Sequence, residues 1–358
     1  MKTTTISSKD KFFFHLSAIH PKLPLLEIIS ILESSKTPFS LLEEKTNCAI
    51  ITCDEIVALQ AGERAAHCKR VVKLLMKVKV SNKDLQQITH TISEKIDFTE
   101  HLIVGQTFRV RVYRTNNNTE EIISIDLEKK LGDIIAKQTK CKANMKKPDR
   151  TFTILFCDNE LLFGLEIYER GRGYFEERRP DIRPFFKPGT LEPRFARLMV
   201  NLAQATPNEL FLDPFCGPGG ILVEAALIGC QVVGCDLNKK MISGAIKNIH
   251  HYSPESDSNL LVSDAKMLPF REAIGSIATD PPYGRSTSTY GKEIIDLLQQ
   301  FLTQAYYLLK RGGILAIGMY HEIPIRELAE EAGFEFLSLE HIYIHRSLTR
   351  NIGVFRKT

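Results

Sequence analysis

Residues 209–236 read ELFLDPFCGPGGILVEAALIGCQVVGCD, and the order of textures in that stretch decides the fold. Glu209 to Pro214 is a short apolar run ending in a turn, as in a buried strand. Gly220 to Gly229 has the apolar density and glycine stop of a buried helix, and Gln231 to Asp236 is again a short apolar run. Two strands separated by one helix must run parallel, because only a crossover of this length returns the chain to the same edge.

The alternation continues downstream. Met241 to His251 has helical spacing, Leu260 to Ser263 and Ile274 to Thr279 read as strands, Ile294 to Leu309 as a helix and Gly313 to Met319 as a strand. Pro324 to Ala332 reads as a helix. Phe334 to Ile344 and Asn351 to Phe355 follow as strands with no helix between them, so the sheet is expected to end in an antiparallel hairpin.

Upstream the texture is α+β. Phe12 to His20 and Cys48 to Cys53 read as strands, Leu25 to Ser34 as a helix, and Glu55 to Met76 and Ser81 to Ile96 as helix-like segments. Thr107 to Tyr113, Phe152 to Cys157 and Leu162 to Ile167 alternate as strands do, and Glu120 to Gln138 has helical spacing. Tyr168 to Pro193, rich in Arg, Gly and Pro, is a linker or an ordered functional loop. The partition expected is 1–64, 65–167, a linker at 168–190, and an α/β domain at 191–358.

Composition narrows the class. The 358 residues are 43% hydrophobic and 25% charged, which excludes a disordered or collagen-like chain. No apolar run reaches the roughly 18 residues of a membrane span, and Met1 to Lys11 with Phe12 to Phe14 does not make an export signal, so a cytoplasmic location is expected. The cysteines 48, 53, 68, 141, 157, 216, 230 and 235 include no Cys-x-x-Cys pair, so they read as reduced thiols and no metal is expected. Residues 1–190 carry 31 Lys and Arg against 25 Asp and Glu, whereas residues 191–358 carry 16 against 18. The basic excess peaks between Lys129 and Arg150, with Lys137, Lys140, Lys142, Lys146, Lys147 and Arg150. That is either a surface for phosphates or a solvated helix face followed by a lysine-rich loop.

Two motifs carry chemistry. Asp213-Pro214-Phe215-Cys216-Gly217-Pro218-Gly219-Gly220 follows a strand and opens a helix, where small residues let a ligand approach the backbone. Asp236, at the next strand end, suits ribose hydroxyls. The spacing matches neither Gly-x-Gly-x-x-Gly nor a phosphate loop, which favours a sulfonium cofactor over a pyrophosphate; the competing reading is a tight strand-to-helix turn. Thr279-Asp280-Pro281-Pro282-Tyr283-Gly284 also follows a strand. Its prolines remove donors and stiffen the turn, leaving the Asp280 carboxylate and nearby carbonyls as acceptors beside the flat Tyr283 ring. A planar base with an exocyclic amine fits that set; a stiff surface turn capped by Asp280 is the plainer alternative.

Asp213 to Gly220, Asp236, Asp264 and Asp280 to Gly284, in this order, resemble the successive motifs of class I S-adenosylmethionine-dependent methyltransferases acting on nucleobase amino groups. The variants Asp-Pro-Pro-Tyr-Gly-Arg-Ser (280–286), His-Arg-Ser-Leu-Thr-Arg (345–350) and Arg-Pro-Phe-Phe-Lys-Pro-Gly-Thr-Leu-Glu-Pro-Arg (183–194) are similar to the archaeal and eukaryotic tRNA guanine-N2 methyltransferases that modify guanosine 10. The resemblance covers nearly the whole chain and is sharper after Gly164. It implies an α/β fold with a Rossmann-like methyltransferase domain, its seven-stranded, mostly parallel sheet closed by an antiparallel hairpin, preceded by a ferredoxin-like region and an RNA-binding THUMP domain.

By the same resemblance Asp213, Cys216, Gly217 and Gly219 shape the S-adenosylmethionine pocket, and Asp236 with Leu237 meets the ribose side. Asp264 and Ala265 sit at the adenine amino group and Thr190 near the methionine end. Asp280 and the Pro281-Pro282 turn orient the target amine, with Tyr283 stacking on the base. Pro218 departs from the Thr or Ser of many relatives. The lysines between 137 and 147, Arg150, Arg178 and Arg179 would contact tRNA, although Arg172, Arg178 and Arg179 have Glu176, Glu177 and Asp181 as alternative partners. His345 and Arg346 lie in the terminal hairpin and would approach the site. Eukaryotic relatives act with a small zinc-binding activator; a chain without large insertions looks more like the archaeal form that works alone. Competing functions are N2-guanine or N6-adenine methylation elsewhere in tRNA or in ribosomal RNA, and a non-catalytic RNA-binding module.

Overall fold

The computed structural model describes residues 10–80, 85–115, 124–271, 274–282, 288–345 and 348–358. The chain divides into two units. One comprises residues 1–25, 37–63 and 68–170, and the other residues 26–36, 64–67 and 171–358.

The N-terminal unit is built from β1 (Lys11–Leu16), the start of α1 (Leu23–Ser34), β2 (Ser40–Lys45), β3 (Cys48–Thr52), α2 (Glu55–Arg64), β4 (Cys68–Lys79), α3 (Leu85–Lys95), β5 (Thr107–Arg114), α4 (Ser124–Thr139), β6 (Lys142–Ala143), β7 (Arg150–Cys157) and β8 (Glu160–Glu169). A single sheet in the order β2-β3-β1-β4-β8-β7-β5-β6 runs through both regions anticipated at 1–64 and 65–167. β4 joins them, pairing with β1 on one side and β8 on the other. The helical texture expected from Glu55 to Met76 therefore stops at Arg64. Val71 and Val72, β-branched and fully buried, serve the sheet, and tertiary pairing overrides the local pattern. In β5 the alternation holds: Phe108, Val110 and Val112 face a core of Phe152, Phe163, Leu127, Leu131 and Ile135. The edge strand β2, mostly exposed, has no apolar period to announce it.

The C-terminal unit follows as α5 (Pro193–Leu202), β9 (Leu210–Asp213), α6 (Gly220–Leu227), β10 (Gln231–Asp236), α7 (Lys239–Tyr252), β11 (Ser258–Val262), β12 (Ile274–Thr279), α8 (Ser288–Leu308), β13 (Leu309–Tyr320), α9 (Ile325–Glu331), β14 (Phe334–His345) and β15 (Leu348–Lys357). The seven strands lie in the order β11-β10-β9-β12-β13-β15-β14, parallel except for β15, which is antiparallel to both β13 and β14. This is the Rossmann-like sheet with its terminal hairpin. Leu298, Phe301, Leu302 and Ala305 of α8 fill its core together with Leu212, Ile277, Leu315 and Phe355. At Gly234 a Cβ would stand 2.4 Å from Leu222 Cδ1, so glycine there lets α6 lie close on the sheet. No helix among the described residues is long and apolar enough to cross a membrane.

Buried charge organises the helices behind this sheet. Glu224 of α6 is wholly buried; its carboxylate meets Arg197 Nη2 of α5 at 2.8 Å and accepts from Arg178 Nε at 2.9 Å. Glu27, also fully buried, accepts from the amides of Ala66 and His67 and from Asn201 Nδ2, tying α1 and residues 64–67 to α5. A carboxylate taken out of water is tolerated only with such partners. Replacing Glu224 with Gln leaves two buried guanidinium groups without their countercharge and is expected to cost about 3–5 kcal/mol. Urea unfolding of the variant checks this, and a loss below about 1 kcal/mol would contradict the assignment.

Candidate active site

Strand order reverses between β9 and β12, which lie side by side in register from Phe211 and Leu212 to Ser276 and Ile277. In open α/β sheets the crevice outside such a switch point is where ligands bind. Here the carboxyl ends of β9, β10 and β12 open into a cavity of about 480 Å³, walled by residues 213–218 and 220–221, Asp236, residues 263–265, Asp280-Pro281-Pro282 and residues 187–191, but not by Gly219.

Asp213 ends β9 only 1% exposed. Its Oδ1 accepts from the Phe215 amide at 3.2 Å and from Thr279 Oγ1 at 2.7 Å, pinning β9 to β12 just before Asp280. Burial, with the charges of Asp280 and Asp236 adding to it, pushes the Asp213 carboxyl up to about 7. The loop then turns through Gly217 and Gly219 at φ +50° and +82°, a region closed to most side chains. The Cys216 amide donates to the Cys235 carbonyl at 2.8 Å. A Cβ at Gly234 would lie 3.2 Å from Cys216 Sγ, so that side chain turns down onto β10. Burial raises this thiol well above its ordinary value.

Asp236 Oδ2 accepts from the Gly217 amide at 3.0 Å and Oδ1 from the Asn238 amide at 2.8 Å. The carboxylate is thus fixed at the strand end, and each oxygen keeps a second lone pair for a ligand hydroxyl. Leu237, 70% exposed, stands at the rim. Asp264 accepts from the Lys266 amide through Oδ1, Ala265 is buried beside it, and Thr190 Oγ1 donates to the Lys187 carbonyl. All of these line the one cavity, as do Asp280 and Pro281. Tyr283, Gly284, Arg285, Ser286, Arg346 and the side chain of His345 lie outside the described residues.

Several residues of the site had no assignment from sequence. Asn248 of α7, fully buried, donates through Nδ2 to the carbonyls of Pro218 and Phe185 and accepts from the Phe185 amide, each at 2.9 Å. It ties the 183–190 segment to the glycine loop, and the atom it uses at position 218 is a backbone carbonyl, which proline retains. An amide on the apolar stripe of Ala245 and Ile249 was the available signal. Thr279 and Arg350 stood inside quoted motifs without a role.

The basic residues separate into two kinds. Lys137, Lys140, Lys142, Lys146, Lys147 and Arg150 are all exposed, at the end of α4, along β6 and its loop, and at the start of β7. Asn144 shapes that loop, accepting from the amides of Lys146 and Lys147. Arg178 corrects the expectation of an RNA contact: at 7% exposure it is committed to Glu224 and to the Tyr174 carbonyl. Arg179 stays at the surface in pairs with Asp181 at 3.2 Å and Glu176 at 3.8 Å.

Residues 180–351 match the RMKL-like methyltransferase domain model and residues 68–166 the THUMP domain model. The chain is 32% identical over 342 residues to the tRNA (guanine(10)-N2)-dimethyltransferase of Methanothermobacter thermautotrophicus, spanning 96% of this chain and 98% of that one. It is 38% identical over 253 residues to the enzyme of the same name from Pyrococcus abyssi, covering 69% and 73%. The crystal structure of TrmN from Thermus thermophilus superposes with a TM-score of 0.56 over 97% of this chain and 100% of the other at 22% identity, a likeness of fold. SMU.472, a methyltransferase complexed with SAH, does so at 0.55 over 99% of each chain at 13% identity. With a THUMP domain, a methyltransferase domain and a relative matched from end to end, the chain belongs to the THUMP-domain tRNA guanine-N2 methyltransferase family.

Proposed function

We propose that this enzyme methylates the exocyclic N2 of guanosine 10 in tRNA, using S-adenosylmethionine, to give N2-methylguanosine and, after a second transfer, N2,N2-dimethylguanosine. The observation that carries the reading is the sharing of one cavity by the glycine loop with Asp236 and by Asp280-Pro281. A cofactor site and a base site must adjoin for a direct transfer, which is what two motifs walling one space would allow.

The residues present suit S-adenosylmethionine. A Cβ at Gly217 would meet nothing within 4 Å, so the loop presents bare backbone to the cavity. Asp236 offers acceptor capacity for ribose hydroxyls, Asp264 and Ala265 for the adenine edge, and Thr190 stands at the methionine end with Asp213, Cys216, Gly217 and Leu237 completing the wall, while Gly219 turns the loop from behind, its Cβ position 3.0 Å from Ala245 of α7. When bound, the cofactor supplies an electrophilic methyl group. Asp280 and the Pro281 carbonyl accept the two N–H bonds of the guanine amine, which holds the nitrogen in line and makes it more electron-rich. An Asp280 carboxylate oxygen takes the proton released as the nitrogen is alkylated. Tyr283 stacks on a base flipped out of its stem.

The exposed Lys137, Lys140, Lys142, Lys146, Lys147 and Arg150 dock the tRNA backbone, with Arg179 exchanging weak surface pairs for phosphate. A cytoplasmic location belongs to the same reading, as does activity without an activator subunit, for which a small zinc-binding activator is the alternative.

The direct test is transfer from labelled S-adenosylmethionine to an unmodified tRNA transcript and to one carrying adenosine at position 10, with nucleoside mass spectrometry. Methylguanosine on the first alone is expected; methylation of both would move the target. Asp280→Ala is expected to lower turnover by at least about 100-fold while S-adenosylhomocysteine affinity stays within about 2-fold. Near-normal turnover would remove Asp280 from the mechanism. A further prediction concerns pH. The folded state holds the Asp213 proton up to about 7, above the ordinary value of 3.8, so this group's contribution to stability is full in acid and is lost as pH rises between those values. Asp213→Asn keeps the acceptor for Thr279 and is expected to flatten that part of the Tm profile against pH; an unchanged slope would assign it to other groups.

A further inference from the structure

The stretch 345–350 ends in Arg350, for which the reaction as described has no task. Arg350 lies on β15 opposite Tyr320 of β13, is 9% exposed, and lines the cavity beside Asp280. Its Nη2 stands 3.4 Å from Asp280 Oδ2, and its guanidinium lies over the Phe195 ring of α5 at 5.0 Å. From the neighbouring strand, Gly318 leaves the space the carboxylate needs: a Cβ there would come 2.6 Å from Asp280 Oδ1 and 3.8 Å from Arg350 Cδ. Three elements thus fit round one carboxylate: a strand with a missing side chain, a hairpin with a cation, and a helix with a ring beneath that cation.

Packing alone is a poor reason for this arginine. Burying a guanidinium is costly, and a methionine would fill the same space against Phe195. The surroundings supply an electrostatic reason. Asp236 shares the cavity with Asp280, and the negative charges of the two push up the buried carboxyl of Asp213 between them in the same wall. A carboxylate in such company turns away or takes up a proton unless a cation holds it. The planar fork of arginine meets a carboxylate and an aromatic face at once, which the point charge of lysine does not.

We propose that Arg350 is the positioning residue for Asp280, holding that carboxylate ionised and correctly turned for the guanine amine and thereby coupling the terminal hairpin to the transfer step. The inference rests on the proposed guanine-N2 methylation and on Asp280 as its acceptor. Arg350 acts through Asp280, so its removal should change kcat and not binding.

The test uses the full-length enzyme with the position-10 transcript and compares Arg350→Met, Arg350→Lys, Asp280→Asn and the double variant Asp280→Asn/Arg350→Met. Arg350→Met is expected to lower single-turnover kcat by about 100-fold, with tRNA KM and calorimetric S-adenosylhomocysteine Kd within about 3-fold of wild type. Arg350→Lys is expected to recover part of the loss. In the Asp280→Asn background the same replacement should change the rate by less than about 3-fold, because the interaction is already gone. A normal kcat for Arg350→Met, losses that multiply across the cycle, or a fall in S-adenosylhomocysteine affinity matching the fall in rate would each overturn the proposal, the last marking a purely structural role. A wild-type enzyme that leaves guanosine 10 unmodified would instead sink the proposed function itself.

Discussion

The hydrogen bond from Thr279 Oγ1 to Asp213 Oδ1 is the joint on which the site depends. It links the ends of two neighbouring strands that belong to opposite halves of the sheet's winding, and both residues are almost completely buried. After Asp213 the chain turns into the glycine loop; after Thr279 it turns into Asp280 and the prolines. A switch point opens a crevice because the connections from its two central strands leave in opposite directions. Left to themselves those ends would splay with their loops. One short side-chain bond sets their separation, and so sets the distance between the glycine-loop wall and the Asp280 wall of the cavity.

Asn248 and Glu224 continue the same logic outward. Asn248 fixes the 183–190 segment to the glycine loop through main-chain atoms, so the upper wall of the cavity is held by a buried amide with both donor and acceptor capacity in use. Glu224 anchors α6, the helix that the glycine loop opens into, to α5 and to the arginine-rich segment before it. Each polar group costs free energy to bury and is satisfied only in one arrangement of its neighbours. Rigidity at the cavity is therefore a consequence of where the buried polar groups were placed, while the apolar core of α8 and the sheet supplies the bulk of the burial.

Most of the methyltransferase domain was legible because its signals are local. A parallel strand buried on both faces is a short apolar run, and a polar residue at its end stands out, so the strand-end acids Asp213, Asp236 and Asp280 that line the cavity could be picked from one dimension. What was not legible depends on partners distant in sequence. β4 carries helix-compatible texture next to α2, and only β1 and β8 make it a strand. α5, opened by Pro193 at its first turn, went unassigned because its neighbours looked like a linker. Arg178 was read as surface because a charge in a basic, glycine-rich segment is normally solvated; its partner, Glu224, is 46 residues away and sits in a helix that otherwise looks wholly apolar. Net charge counts do not distinguish an arginine that faces water from one that closes a core.

The cavity's own charge bears on what can enter it. Asp213, Asp236, Asp264 and Asp280 line it against Lys187 and Arg350. Acidic walls disfavour a pyrophosphate and favour a sulfonium, which agrees with the absence of a dinucleotide or phosphate-loop spacing in residues 213–220. The same walls disfavour the phosphates of an RNA strand and favour an uncharged group that carries N–H donors. A polyanionic substrate is therefore best held by cations outside such a cavity, with only an uncharged part of it delivered to the acids. For a tRNA the two demands are complementary: its backbone needs cations for affinity, and its amino group needs acceptors for reaction.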